Sequence, residues 1–227
     1  MTEIQEKANT ISQELSIAEI RKYTKEAAPL IHCITNPISI HDCANIILAA
    51  GARPIMAEHP AEVAEITAVA SALMLNLGNI TDASIESIQR ALKEANRRKI
   101  PVLLDLVGVT CSSLRREFAR KLLTDGRFAV IKGNISEILA AADLPFHGTG
   151  IDAGSQDAIS QANEASYCTT AKKLAEHLGC TVMATGKLDL IADRNQAFLI
   201  ANGHTALSGI TGTGCMVGAL TAAYPQA

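Results

Sequence analysis

Near the end of the chain, Thr211-Gly212-Thr213-Gly214-Cys215 runs directly into Met216-Val217-Gly218-Ala219-Leu220. Two glycines flank a small hydroxyl residue, a thiol follows, and an apolar run of helical character begins. Glycine lets backbone N–H groups approach a ligand closely. The first turn of a helix carries unpaired N–H donors at the positive end of its dipole. The pattern predicts an anion cradle with Cys215 on its lip, suited to a phosphate in transit. Many glycine turns into helices bind nothing, so the reading depends on what else the chain brings to this corner.

Polar residues that directly follow apolar runs are the other candidates. Asp105 closes Pro101-Val102-Leu103-Leu104 and could hold Mg²⁺, orient a hydroxyl, or cap a loop. Glu137, in Gly133-Asn134-Ile135-Ser136-Glu137, favours a helix dipole whatever else it does. Two carboxylates from neighbouring strand ends also suit a hydrated Mg²⁺, which keeps several waters and takes phosphate oxygens. Lys132 could meet a phosphate as a point charge or be a solvated lysine. Thr185-Gly186-Lys187 is a further strand-end turn whose hydroxyl could touch a nucleotide. His32, His41, His59 and His204 read as ordinary polar positions, and His204 as a turn residue.

Alternation along the chain supplies the elements that must position these groups. An amphipathic helical segment is expected from Ile4 to about Ala28, then a buried strand from Leu30 to Thr35 and a turn at Asn36-Pro37. Helices are expected over 40–50, 61–71, 82–99, 112–123 and 135–142, and a long one ends near Gly179. Strands are expected over 54–56, 72–77, 101–105, 128–131 and 181–184. Leu188–Ala192 and Ala197–Ile200 read as a hairpin around Asp193-Arg194-Asn195. Apolar strands alternating with helices predict a mainly parallel sheet covered on both faces. Ligands in such folds bind beyond the carboxyl ends of the strands. Asn36, Asn76, Gly78, Asp105, Asn134, Glu137, Thr185 and Gly186 should therefore line one edge of the sheet, with the glycine motif among them.

Composition narrows the class. The chain has 227 residues, a net charge of −3 and no tryptophan. No basic stripe and few aromatics argue against nucleic acid as a partner. The acidic, polar N-terminus is unlike a signal peptide, and no apolar stretch has the length of a membrane span. The six cysteines have no C-x-x-C or zinc-site spacing. They are expected to be free cytosolic thiols, mostly small core residues, in a cytoplasmic protein.

These pieces together resemble the hydroxyethylthiazole kinases of the ribokinase-like superfamily, from about Leu30 to Tyr224. The resemblance rests on Ile34-Thr35-Asn36 with Ala44-Asn45, Gly51-Ala52-Arg53-Pro54-Ile55-Met56-Ala57, and Leu75-Asn76-Leu77-Gly78. It continues through Ile131-Lys132-Gly133-Asn134-Ile135-Ser136-Glu137, Thr185-Gly186, Asn202-Gly203 and the Thr-Gly-Thr-Gly-Cys run. It implies an α/β three-layer sandwich, one kinase domain over residues 1–227, without the helices that follow the glycine motif in the family. It implies transfer of the ATP γ-phosphoryl group to the hydroxyl of 4-methyl-5-(2-hydroxyethyl)thiazole, in thiamine biosynthesis. Cys215 then matches the catalytic position. Met56 and Gly212 match thiazole contacts, with Asn36 nearby. Lys132 and Thr185 match nucleotide contacts, and Asp105 and Glu137 match Mg²⁺-associated acids. A homotrimer with sites between subunits is implied. The alternatives are a kinase for another small alcohol, such as a hydroxymethylpyrimidine, and a catalytically silent ligand-binding relative.

Three expectations remain. A helix N-terminus should lower the thiol of Cys215 below its reference pKa of about 8.5. The family's Asp-Pro-Val-Gly is Asp105-Leu106-Val107-Gly108 here, which restores an N–H and frees the backbone after Asp105. Without following helices, the Met216–Tyr224 helix should lack a packing partner.

Overall fold

The computed structural model describes residues 16–148 and 154–224. Residues 4–15 of the expected first helix therefore lie outside the described residues. Strand β1 (Leu30–Ile34) is followed by β2 (Arg53–Ile55), β3 (Ala72–Asn76), β4 (Val102–Asp105), β5 (Val130–Asn134), β6 (Thr181–Thr185), β7 (Asp189–Ala192) and β8 (Ala197–Ile200). They form one sheet in the order β2-β1-β3-β4-β5-β6-β7-β8. The pairings from β2 through β6 are parallel, and β7 and β8 add antiparallel to the edge.

Helices α1 (Ile17–Ala27), α2 (Ile40–Ala50), α3 (Val63–Val69), α4 (Asp82–Arg98), α5 (Ser113–Asp125), α6 (Ile135–Ala141), α7 (Glu164–Leu178) and α8 (Thr213–Ala223) connect or close these strands. Local chemistry sets several of their starts. Ser16 with Glu19, and Thr81 with Ser84, form reciprocal caps that satisfy otherwise orphaned N–H groups.

Successive strand residues point to opposite faces. Leu73, Leu75, Val102 and Leu104 enter a large apolar cluster with Ile88, Ala91 and Leu92 of α4, Phe118 of α5, and Leu174 of α7. Met74, Leu103, Ile31 and Cys33 enter a second cluster with Cys43 and Ile47 of α2, and Cys215, Ala219 and Ala223 of α8. The result is helices, sheet, helices, and it explains why the strands read as apolar throughout.

Two expectations are corrected here. Helix α8 does have packing partners. Its small residues let it sit closely on α2 and on β1, β3 and β4, and Ala219 and Ala223 are fully buried. Strand β5 runs Val130–Asn134 rather than 128–131, because pairing continues to Asn134↔Thr185 with β6. Lys132 is therefore inside a strand and 2% exposed, which excludes the solvated-lysine reading.

Candidate active site

Helix α8 begins on Gly212, whose φ of +86° is a left-handed conformation that disfavours a side chain. A Cβ there would lie 3.1 Å from Cβ of Ser39. No side chain caps this helix, so its first-turn N–H groups stay open as an anion cradle. Lys132 Nζ lies 3.4 Å from where a Cβ of Gly214 would stand. A buried cation of the strand-end network thus flanks the cradle. Cys215, one residue further, is buried.

Behind the cradle the strand ends form a continuous network. Asn36 follows β1, Asn76 ends β3, Asp105 ends β4, and Lys132 is the third residue of β5. Asn36 Nδ2 donates to Asn76 Oδ1 at 3.1 Å and to Cys215 Sγ at 3.4 Å. Asn76 Nδ2 donates to Asp105 Oδ2 at 3.2 Å and to Cys215 Sγ at 3.3 Å. Lys132 Nζ donates to both oxygens of Asp105, at 3.1 and 3.0 Å. The pair is fully buried. Burial by itself disfavours the Lys132 charge, but Asp105 opposes this and the net shift is upward. Burial lifts the Asp105 carboxyl above the usual range, against the pull of Lys132.

Cys215 is corrected. Burial first, and the Asp105 charge second, push its thiol up rather than down. Hydrogen bonds from Ser39 and Asn36 and the charge of Lys132 pull the other way.

Leu106 resolves the departure after Asp105. Its N–H donates to the Lys132 carbonyl at 2.7 Å, so the restored donor ties the end of β4 to β5. Glu137 stands at the start of α6. Its Oε1 accepts from Gly108 N–H at 2.7 Å and its Oε2 from Asn134 N–H, also at 2.7 Å. The carboxyl thus joins the loop after β4 to the end of β5. Burial, reinforced by the Asp105 charge, raises it to about 7.

The remaining candidates lie to either side. Thr185 ends β6, in register with Asn134, and its Oγ1 donates to the Gly133 carbonyl at 3.3 Å. Asn202-Gly203 packs beneath this turn: a Cβ on Gly203 would lie 2.5 Å from the Gly186 carbonyl oxygen. Met56 follows β2 and lines a cavity of about 490 Å³ with Ile34, Pro37, His59 and Asn76.

Three contributors escaped the sequence reading. Ser39 holds the N-cap position of α2 but makes no side-chain cap; its hydroxyl lies 3.4 Å from Thr35 Oγ1 instead. Arg115 Nη1 donates to the carbonyls of Leu77 and Gly78, each at 2.7 Å. Asp157 is buried and accepts from Ser136 Oγ at 2.5 Å and from His147 N–H at 2.7 Å. Ser39 had one signal, its place three residues after Asn36. Arg115 sits on a helix in a run of charges and had none. His32 is a core residue, bonded to Thr67 Oγ1 and the Ala57 carbonyl. His204 accepts from Ala206 N–H in a turn, as expected. Cys33, Cys43 and Cys215 are buried, while Cys111 is exposed.

A mainly parallel sheet thus lies between helical layers, with an uncapped helix N-terminus and a buried lysine gathered at its carboxyl edge. The fold is shared with Bacillus subtilis pyridoxal kinase, solved as an ADP complex, at a TM-score of 0.62 and 16% identity over 86% of this chain and 82% of that one. The model of the Hydroxyethylthiazole kinase family matches residues 21–226, and the chain belongs to that family. It is 50% identical over 206 residues to hydroxyethylthiazole kinase 2 of Clostridium botulinum (strain 657 / Type Ba4), covering 91% of this chain and 78% of that protein. The structure of the hydroxyethylthiazole kinase from Pyrococcus horikoshii OT3 superposes with a TM-score of 0.79 at 32% identity, over 91% of this chain and 74% of that one.

Proposed function

We propose that this protein transfers the γ-phosphoryl group of ATP to the hydroxyl of 4-methyl-5-(2-hydroxyethyl)thiazole, and that Cys215 accepts the hydroxyl proton. The uncapped start of α8, with Lys132 beside it and a thiol on its lip, carries the reading. Phosphoryl transfer passes through a loose transition state in which positioning and charge stabilisation dominate. The N–H groups at Gly212 to Cys215 stabilise the charge on the moving group, and Lys132 adds a fixed positive charge. The alcohol oxygen forms its bond to phosphorus as the bond to ADP breaks. The hydroxyl proton moves to Cys215 Sγ, late enough that a weak base suffices.

Met56 and Gly212 serve the thiazole, and Thr185 and Lys132 the nucleotide. Asn36 sits beside this corner and serves it through its hydrogen bonds. Its Oδ1 accepts from Ile38 and Ser39 N–H, and its Nδ2 donates to Asn76 and Cys215. With all four positions taken, it supports the thiol rather than the thiazole.

Magnesium belongs to the substrate, as MgATP. Asp105 is occupied by Lys132 and Asn76, and each Glu137 oxygen by a backbone N–H. Among the described residues no group of three or more His, Cys, Asp or Glu could hold a metal ion. These acids suit the water shell of a nucleotide-borne Mg²⁺, not direct ligation. We place the protein in the cytoplasm as one kinase domain, and in a homotrimer. Exposed Ile38, Leu207, Ile210 and Val217 flank the Gly212 corner and support a subunit interface there. No helix among the described residues is long and apolar enough to cross a membrane.

The test is ADP release with mass detection of the thiazole phosphate, run beside a hydroxymethylpyrimidine. Turnover of the thiazole alcohol that requires both ATP and Mg²⁺ is expected. Folded protein that binds the thiazole but turns over nothing refutes the kinase reading; preference for the pyrimidine reassigns the substrate.

A further inference from the structure

We infer that Asn76 is a positioning residue that holds the Cys215 sulfur as a proton acceptor, and that Arg115 acts through Gly78 to keep Asn76 in that orientation. The inference rests on the phosphoryl-transfer reading above and adds two residues to it.

Asn76 is 3% exposed and makes all four hydrogen bonds its carboxamide can make. Its Oδ1 accepts from Gly78 N–H at 2.8 Å and from Asn36 Nδ2 at 3.1 Å. Its Nδ2 donates to Asp105 Oδ2 and Cys215 Sγ. The reverse orientation would set Oδ1 against the Asp105 carboxylate and the amide N–H groups against two donors. The network therefore decides which way the amide points. With Asn36 also donating, Cys215 Sγ receives two N–H groups. Donors aimed at sulfur favour the thiolate over the thiol. The other groups facing the sulfur are Asp105 from β4, Lys132 from β5, Ser39 from the start of α2 and Cys33 from β1. Of these, the Asp105 charge opposes a thiolate. Asn76 donates to both acceptors, so it bridges two groups that would otherwise repel.

The orientation of Asn76 depends on the turn after β3. A Cβ on Gly78 would lie 2.8 Å from Asn76 Oδ1 and 2.9 Å from Asn36 Nδ2, so the turn is pressed directly onto the two amides. Arg115 reaches across from α5 and fastens that turn through two carbonyls with a single guanidinium nitrogen. The same nitrogen lies 2.6 Å from where a Cβ of Gly108 would stand, against the loop after Asp105. The path runs Arg115, Gly78, Asn76, Cys215. During transfer the alcohol proton moves to Cys215 Sγ while the oxygen–phosphorus bond forms and ADP leaves. Asn76 keeps its two donations throughout and gives up no proton.

The test measures kcat and KM across pH, together with thiolate absorbance, in the wild type, Asn76→Asp, Asn76→Ser, Arg115→Lys and Cys215→Ser. The wild type minus Cys215→Ser difference isolates the Cys215 titration. Asn76→Asp keeps the acceptor for Gly78 but sets a carboxylate oxygen on the sulfur. It is expected to move the Cys215 midpoint up by about one unit or more. It should also lower kcat at neutral pH about tenfold or more, with both KM values within about twofold. Arg115→Lys, whose shorter side chain withdraws the donor from the Leu77 and Gly78 carbonyls, should shift the midpoint the same way by less. A midpoint unmoved by these substitutions, or a loss confined to KM, overturns the inference. If Asn76→Asp does not fold, Asn76→Ser and Arg115→Lys decide by the same midpoint. A moved midpoint in a protein that phosphorylates no alcohol refutes the function and keeps the contact; an unmoved midpoint in an active enzyme refutes only the inference.

Discussion

As the proposed proton acceptor, Cys215 has surroundings that keep its thiolate scarce, and that shapes its pH behaviour. Burial and the Asp105 charge push its thiol up from its ordinary value. The proton-accepting form therefore grows as pH rises, and turnover should climb through neutral pH into the alkaline range. Cys215→Ser should keep thiazole binding and turn over about 100-fold more slowly, within the range for a lost general base. Cys215→Asp should stay active and move the rising limb to the acid side, because a carboxyl ionises at lower pH than a thiol. Steady-state rates across pH check both. Serine turnover equal to wild type at every pH would leave catalysis to the cradle alone. Glu137 makes a separate prediction. Its folded value of about 7 exceeds its ordinary 4.5, so between these pH values the folded state binds the extra proton. Its stabilising contribution is complete below about 4.5 and falls as pH rises through about 7. Denaturation midpoints followed from pH 4 to 8 should decline more for the wild type than for Glu137→Gln; parallel curves would show that Glu137 does not titrate there.

At the scale of elements, the site depends on close backbone approaches. Gly203 is one: its Cβ would stand 2.5 Å from the Gly186 carbonyl oxygen and 2.6 Å from that of Lys187. Both are backbone atoms, so Gly203→Ala must displace the β6–β7 turn just beyond Thr185. Overpacking of this kind costs about 1–3 kcal/mol. The expected result is a KM for ATP about tenfold higher, with kcat changed less and a lowered melting temperature. An unchanged KM for ATP would detach Thr185 from nucleotide binding. The sequence showed most of these elements, and α2 at its full extent, because apolar strands and amphipathic helices alternate along most of the chain. Thr81 marks the start of α4 by its own side chain. It also showed that Asn36, Asn76, Asp105 and Asn134 share the carboxyl edge, since that follows from parallel topology alone. Three-dimensional pairing was beyond it. Nothing local says that β5 continues through Lys132, that Arg115 reaches the carbonyls after β3, or that small residues seat α8 against α2. The thiol shift was misread for the same reason: dipole position is visible in sequence, but desolvation is not.

For the whole molecule, α8 links the chemistry to the outer surface. Cys215, Ala219 and Ala223 face inward, while Val217 is 36% exposed on the same helix. Thr213 Oγ1 holds the preceding segment by donating to the carbonyls of Leu207 and Ile210. Those two side chains are 49% and 56% exposed, and Ile38, one residue before Ser39, is 72% exposed. Apolar side chains thus gather around the Gly212 corner on segments that also shape the cradle. In the proposed homotrimer this surface meets a neighbouring subunit, so assembly and thiazole binding are coupled. Ile210→Glu places a charge on that surface without disturbing the core, and charges are depleted at interface centres because desolvating them is unfavourable. The variant should sediment as a monomer, keep its circular dichroism and melting temperature at high protein dilution, and bind the thiazole alcohol at least about tenfold more weakly. ATP binding, which the proposal gives to Lys132 and Thr185 within one chain, should change little. A variant that stays trimeric, or a wild type that sediments as a monomer with full activity, would remove the subunit interface from the site and leave the thiazole to the cavity lined by Met56 alone.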